Sequence, residues 1–195
     1  MTTPAAARRA RQLEERRSRI VGAARALAEE QGWEAVTTRR LADAIEYSQP
    51  VLYGHFPQGR TQIVTAVALE GFEELAAALA PSALDDAGSD AERVRALVTA
   101  YLDFAERQPA TYDAMFLLPV LIPFASDETP AVVRAGFEAI EGTLRRLDNP
   151  PAEAPATAEV LWGAIHGVVA LGRAGRFPAA HQKERVETLV RLVAH

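Results

Sequence analysis

TTRRLADAIEYSQPVLYGHFPQGR, residues 37–60, decides how this chain folds. Thr37 is a good N-cap, because its hydroxyl can accept a bond from a free amide of the first helical turn. Leu41, Ala42 and Ile45 then make the buried stripe of a very short helix. Ser48 is the next N-cap, and Pro50 fits the first turn after it, where the amide it lacks would have no partner. A second short helix is expected from Gln49 to about Phe56, with Pro57 and Gly59 breaking the chain. Leu41, Ile45, Leu52 and Phe56, with Trp33 just upstream, are core positions.

Outward from this stretch, the chain alternates helical stripes with breakers. Residues 1–12 are rich in alanine and arginine without an apolar stripe, and read as a mobile basic arm. From Glu14 to Gln31, Ile20, Ala24, Leu27 and Ala28 recur at helical spacing, and Gly32 supplies a left-handed stop. Downstream, Ile63, Val67, Phe72, Leu75 and Leu79 predict a long helix from Arg60 to Ala80, followed by a loop at PSALDDAGSD. Further helices are expected at about 90–108, 109–118, 130–147, 158–175 and 180–194, punctuated by prolines and by the connection DNPPAEAPAT at 148–157. The fold class is all-α: an N-terminal three-helix helix-turn-helix unit over 13–59, then a C-terminal helical bundle over 60–195.

The totals agree with a helical globular protein. Of 195 residues, 49% are hydrophobic, mostly alanine and leucine, and only 7% aromatic, which favours helix over strand. There is no cysteine, so disulfides and thiolate metal sites are excluded and the default location is the cytoplasm. The longest apolar run, VLWGAIHGVVALG at 160–172, falls short of the ~18 residues of a membrane span, so no membrane partner is expected. Net charge is −5, yet residues 1–60 carry ten arginines against seven acids, +3, which leaves −8 for the rest. A basic head on an acidic body presents one end to a polyanion.

Two short helices behind a longer one form a helix-turn-helix, whose second short helix can enter a major groove. The spacing TT-R-x-LA, seven residues, P-x-LY-x-HF resembles the DNA-binding motif of the TetR family of transcriptional regulators, densely over residues 20–64, about a quarter of the chain. Gln49 presents an amide able to pair with adenine N6 and N7, and is the main expected base reader. Arg39 can reach a guanine edge or a phosphate, and Pro50 and Val51 offer apolar surface to a thymine methyl. Tyr53 and His55 lie outward with donors for phosphate oxygens, an assignment the resemblance supports. Thr37 and Thr38 place hydroxyls at a helix start, where phosphate also meets free amides. Three positions depart from the family. Glu46 occupies a turn position where a glycine at positive φ is common, Tyr47 replaces a small aliphatic, and Gly59 replaces a phosphate-reaching lysine, whose contact Arg60 is expected to take over.

In the C-terminal body, Trp162-x-x-x-His166-Gly167 resembles a segment of one TetR subgroup. Gly163 and Gly167, four apart, allow another helix to come close. The resemblance implies a homodimer through about 158–194, with Val186, Leu189, Val190 and Val193 as an apolar stripe on the last helix. It also implies a pocket for a small-molecule effector, for which Tyr101, Phe104, Tyr112, Met115, Phe116, Phe137, Trp162 and His166 are the candidates. The four histidines are scattered, none paired at metal-ligand spacing, and no glycine-rich phosphate loop follows a strand, so neither metal, cofactor nor catalysis is expected. The expected function is a dimeric regulator, a repressor that binds double-stranded DNA at a palindromic operator and is released by its effector. The competing reading is a ligand-binding or protein-interaction module on the same scaffold without specific DNA binding.

Overall fold

A computed structural model describes residues 3–84 and 88–194, with the side chains of 82–84 left aside. The described residues form nine α-helices and no strand: α1 Pro4–Gln31, α2 Thr38–Ala44, α3 Gln49–His55, α4 Arg60–Leu84, α5 Asp90–Arg107, α6 Pro109–Phe116, α7 Ala131–Arg145, α8 Ala154–Arg173 and α9 Gln182–Val193. Every expected helix is present. The helix α4 runs on through Pro81 to Leu84, into the stretch expected as a loop after Ala80, and residues 85–87 of that stretch lie outside the described residues.

The largest difference is at the N-terminus. The segment read as an unstructured arm is helical from Pro4: the Thr3 hydroxyl accepts the Ala6 amide at 3.4 Å, and proline occupies the first turn. The apolar-stripe criterion missed it because this part of α1 buries nothing, its first buried residue being Ile20. Alanine, arginine and glutamine, all strong helix formers, hold it helical without a core to face. At the other end of α1, Gly32 has φ 79° and ψ 164°, a combination beyond the left-handed helical basin that only glycine adopts readily.

Two compact units divide the chain: residues 1–71 with 108–125, and residues 72–107 with 126–195. The three-helix head is the heart of the first unit, which also takes the start of α4 and all of α6. Side chains of the head make this junction. Glu29 of α1 accepts the Ala110 amide at 3.0 Å and the Thr111 amide and hydroxyl, both at 2.8 Å, at the otherwise unsatisfied start of α6. The indole of buried Trp33 donates to the Ala110 carbonyl at 2.7 Å, and Arg25 donates to Gln108. Gly71 lets α4 approach α6 closely, since a β-carbon there would stand 2.7 Å from both Met115 Sδ and Thr111 Cγ2.

The second unit packs α5 against α7, α8 and α9. Ser89 and Glu92 form a reciprocal cap at the start of α5, and the backbone bond from Ser89 holds the Glu92 carboxyl below its usual range. Arg95 of α5 grips Glu187 of α9 through two bonds of 2.7 and 2.9 Å. Leu189 and Val190 lie in the core of this unit, at 5% and 2% exposure, which corrects half of the stripe expected on the last helix, while Val186 and Val193 are partly exposed.

Candidate nucleic-acid interface

The head places its two short helices as the sequence predicts. Thr37 caps α2 by accepting the Arg40 amide at 3.2 Å, and Leu41 and Ala42 are buried beneath it. In the turn to α3, Glu46 has φ 57°, the left-handed conformation expected there, and the Tyr47 amide closes the turn on the Ala42 carbonyl at 2.9 Å. Leu52 and Phe56, each 1% exposed, fix α3 to the core. Ser48 stands at the N-cap, but its hydroxyl does not cap α3. Pro50 has no amide to offer, and the Val51 amide already bonds the Ser48 carbonyl at 3.0 Å. Expected only as a cap, Ser48 instead stands at the exposed start of α3 beside Gln49.

That anchoring orients one row outward. Thr37, Arg39, Gln49, Pro50, Val51 and Tyr53 are exposed, and Thr38 and His55 partly so. Arg39 makes no hydrogen bond or ion pair among the described residues. Arg60 is placed differently from the phosphate contact expected of it. Its Nε and Nη2 donate to the carbonyls of Val36 and Trp33 at 3.1 and 2.9 Å, and its guanidinium lies over the Trp33 ring. The Trp33 carbonyl also accepts the Val36 amide at 3.1 Å in the short 3-10 turn Trp33–Ala35 between α1 and α2, so this cation braces that connection. Arg40 does similar work, donating to the Ala35 carbonyl and to Gln31. Gly59, at φ 61°, adopts a conformation a lysine would enter only with strain.

Tyr47, the second departure, is tied to α1: Arg19 donates to its hydroxyl at 3.2 Å and stacks on its ring. Gln12, Glu15, Arg16 and Arg19 of α1 line a cleft with Tyr47 and with Val51 of α3.

The effector candidates fall into two groups. In the second unit, Trp162 Nε1 donates to the Tyr101 hydroxyl at 2.9 Å, and Phe137 meets the Trp162 ring edge-on at 6.4 Å. Phe104 is buried in α5, and burial holds the His166 imidazole below its ordinary value. Tyr112, Met115 and Phe116 belong to the first unit, where the rings of Tyr112 and Phe116 stand 4.7 Å apart and Met115 lies under Gly71.

Comparison with known proteins points the same way. The family model for bacterial regulatory proteins of the tetR family matches residues 20–67, and that for a tetracyclin repressor-like C-terminal domain matches residues 94–194. The nucleoid occlusion factor SlmA of Photobacterium profundum is 29% identical over 133 residues, 68% of this chain and 66% of that protein. A tetR-family transcriptional regulator from Streptomyces coelicolor superposes with a TM-score of 0.65 at 24% identity, covering 92% of this chain and 78% of that one. The TetR family transcriptional regulator PfmR from Thermus thermophilus gives 0.58 at 21% identity, covering 89% and 93%.

Proposed function

Since the chain belongs to the TetR family of DNA-binding transcriptional regulators, we propose that it is a cytoplasmic repressor whose dimer reads a palindromic operator through α3 and is released by a small molecule. The carrying observation is the division of labour in α3. Leu52 is buried, while Gln49, Pro50, Val51 and Tyr53 stand exposed on a helix short enough to enter a major groove. Gln49 reads adenine, Arg39 a guanine or phosphate, and Pro50 and Val51 a thymine methyl. Tyr53, His55, Thr37 and Thr38 hold phosphates and set register. Arg60 acts one step back, keeping the α1–α2 connection in place. Gln49→Ala therefore alters the preferred sequence, while Tyr53→Phe weakens binding to all sequences alike. Identical behaviour of the two variants in duplex selection and titration contradicts these roles.

The dimer uses the outward side of α8. This helix is long and apolar enough to satisfy the length and composition of a membrane span, which the shorter apolar run in the sequence does not, yet little of it is buried within one chain. Val160 is 73% exposed and Leu171 44%, and nothing lies within 4 Å of a β-carbon built on Gly163 or Gly167. Helical spacing puts Val160, Gly163, Gly167 and Leu171 on one face, and Leu192 of α9 is also exposed, at 63%. A second copy covers this face, as in a four-helix bundle. The effector occupies the second unit, where Tyr101, Phe104, Phe137, Trp162 and His166 supply rings and a few polar groups. It favours the dimer state whose heads no longer match the operator spacing.

A further inference from the structure

The geometry points to a second DNA contact outside the helix-turn-helix: a stripe of α1, Arg8, Gln12, Arg16 and Arg19, that lies along the duplex backbone beside the groove occupied by α3. Spacings of four, four and three residues put these side chains on one helical face. Three of them, Gln12, Arg16 and Arg19, line with Glu15 the cleft whose far wall is Tyr47 and Val51, two cations to one carboxylate. Val51 belongs to the reading face of α3, so the stripe is continuous with that face, and Arg8 continues it about 6 Å further along α1.

The segment also lacks a protein core to pack on. From Pro4 to Arg19 no side chain is buried, and Arg17 and Arg19, in the last turn of this stretch, reach the head at Phe56 and Tyr47. Six arginines against two glutamates give it +4, in a chain that is −5 overall. A polyanion is the complementary surface, and the one adjoining this cleft on the proposed function is the duplex held by α3. The opposite side of α1 behaves differently: Arg17 stacks on Phe56 at 4.5 Å and belongs to the core side. The Arg19–Tyr47 bond fixes the angle at which the stripe leaves the head. The tyrosine departure thereby acquires a role, positioning α1 against the backbone. These contacts neutralise phosphates and carry no base readout.

The inference rests on the proposed function, and the test separates the two. Full-length protein and the double variant Arg8→Ala/Arg16→Ala are titrated against two duplexes of about 40 base pairs, long enough to extend past the groove read by α3, at several salt concentrations. One duplex carries the site recovered by selection and the other has arbitrary sequence. Each lost phosphate contact lowers the slope of log K against log salt by about 0.9, so the variant should lose a slope of about 2 on both duplexes, with their affinity ratio unchanged. Arg8→Lys/Arg16→Lys should retain the wild-type slope, and circular dichroism of the alanine variant should show undiminished helix. A wild-type slope in the alanine variant overturns the inference alone. So does a loss confined to the selected site. Wild-type protein that binds neither duplex overturns the proposed function and this inference with it.

Discussion

Glu46 carries a cost that the rest of the head absorbs. At φ 57° a β-carbon is strained, and the turn keeps it because the Tyr47 amide must reach the Ala42 carbonyl. Glu46→Gly relieves that strain but adds freedom to the unfolded chain, so the net gain should be roughly 0.5–1 kcal/mol, read as a higher urea midpoint. Gly71→Ala should go the other way, by about 1–3 kcal/mol, since Thr111 is fully buried and stiff and cannot yield to the added carbon. His166 adds a pH term. Burial lowers its folded pKa, so the unfolded chain binds the proton more readily, and stability falls as pH drops below the ordinary value of 6.5. His166→Gln should flatten that fall in unfolding curves compared between about pH 7.5 and 5.5, which bracket the ordinary imidazole range. The positive φ at Glu46 was legible because spacing and resemblance both pointed to it. The bracing by Arg60 was not, because its partners are carbonyls 24 and 27 residues away and sequence does not announce them.

Helices with an apolar stripe were legible to within a few residues, and what escaped was whatever held them without one. The first four turns of α1 are helical through capping and propensity alone, signals weaker than periodicity. The attachment of α6 to the head was equally hidden. It depends on Glu29, Trp33 and Arg25 meeting residues 108–111, more than seventy positions downstream. Glu29→Gln keeps the shape but replaces a charged acceptor of three bonds with a neutral one. The expected outcome is a loss of about 1–2 kcal/mol in denaturant unfolding, with faster amide exchange at Ala110 and Thr111. Unchanged exchange at those two amides would show that α6 is held by packing instead.

For the molecule as a whole, the sequence sets a basic head against an acidic remainder, and α8 carries an exposed apolar face. With Leu189 and Val190 buried, the dimer face proposed above centres on Val160, Gly163, Gly167 and Leu171 with Leu192. Val160→Glu, at a position 73% exposed, should leave the folded protomer intact and shift sedimentation from dimer to monomer at micromolar concentration. Operator affinity should fall with it, since one head has few base contacts. A variant that stays dimeric would move the interface elsewhere. The measurement that bears most directly on the central claim is selection of random-sequence duplexes with the purified full-length protein. The account predicts enrichment of an inverted repeat with half-site centres about 10 base pairs or a multiple apart, and a changed preference at one adenine position in each half when Gln49 becomes alanine. Recovery of no enriched sequence by the wild-type protein would contradict it.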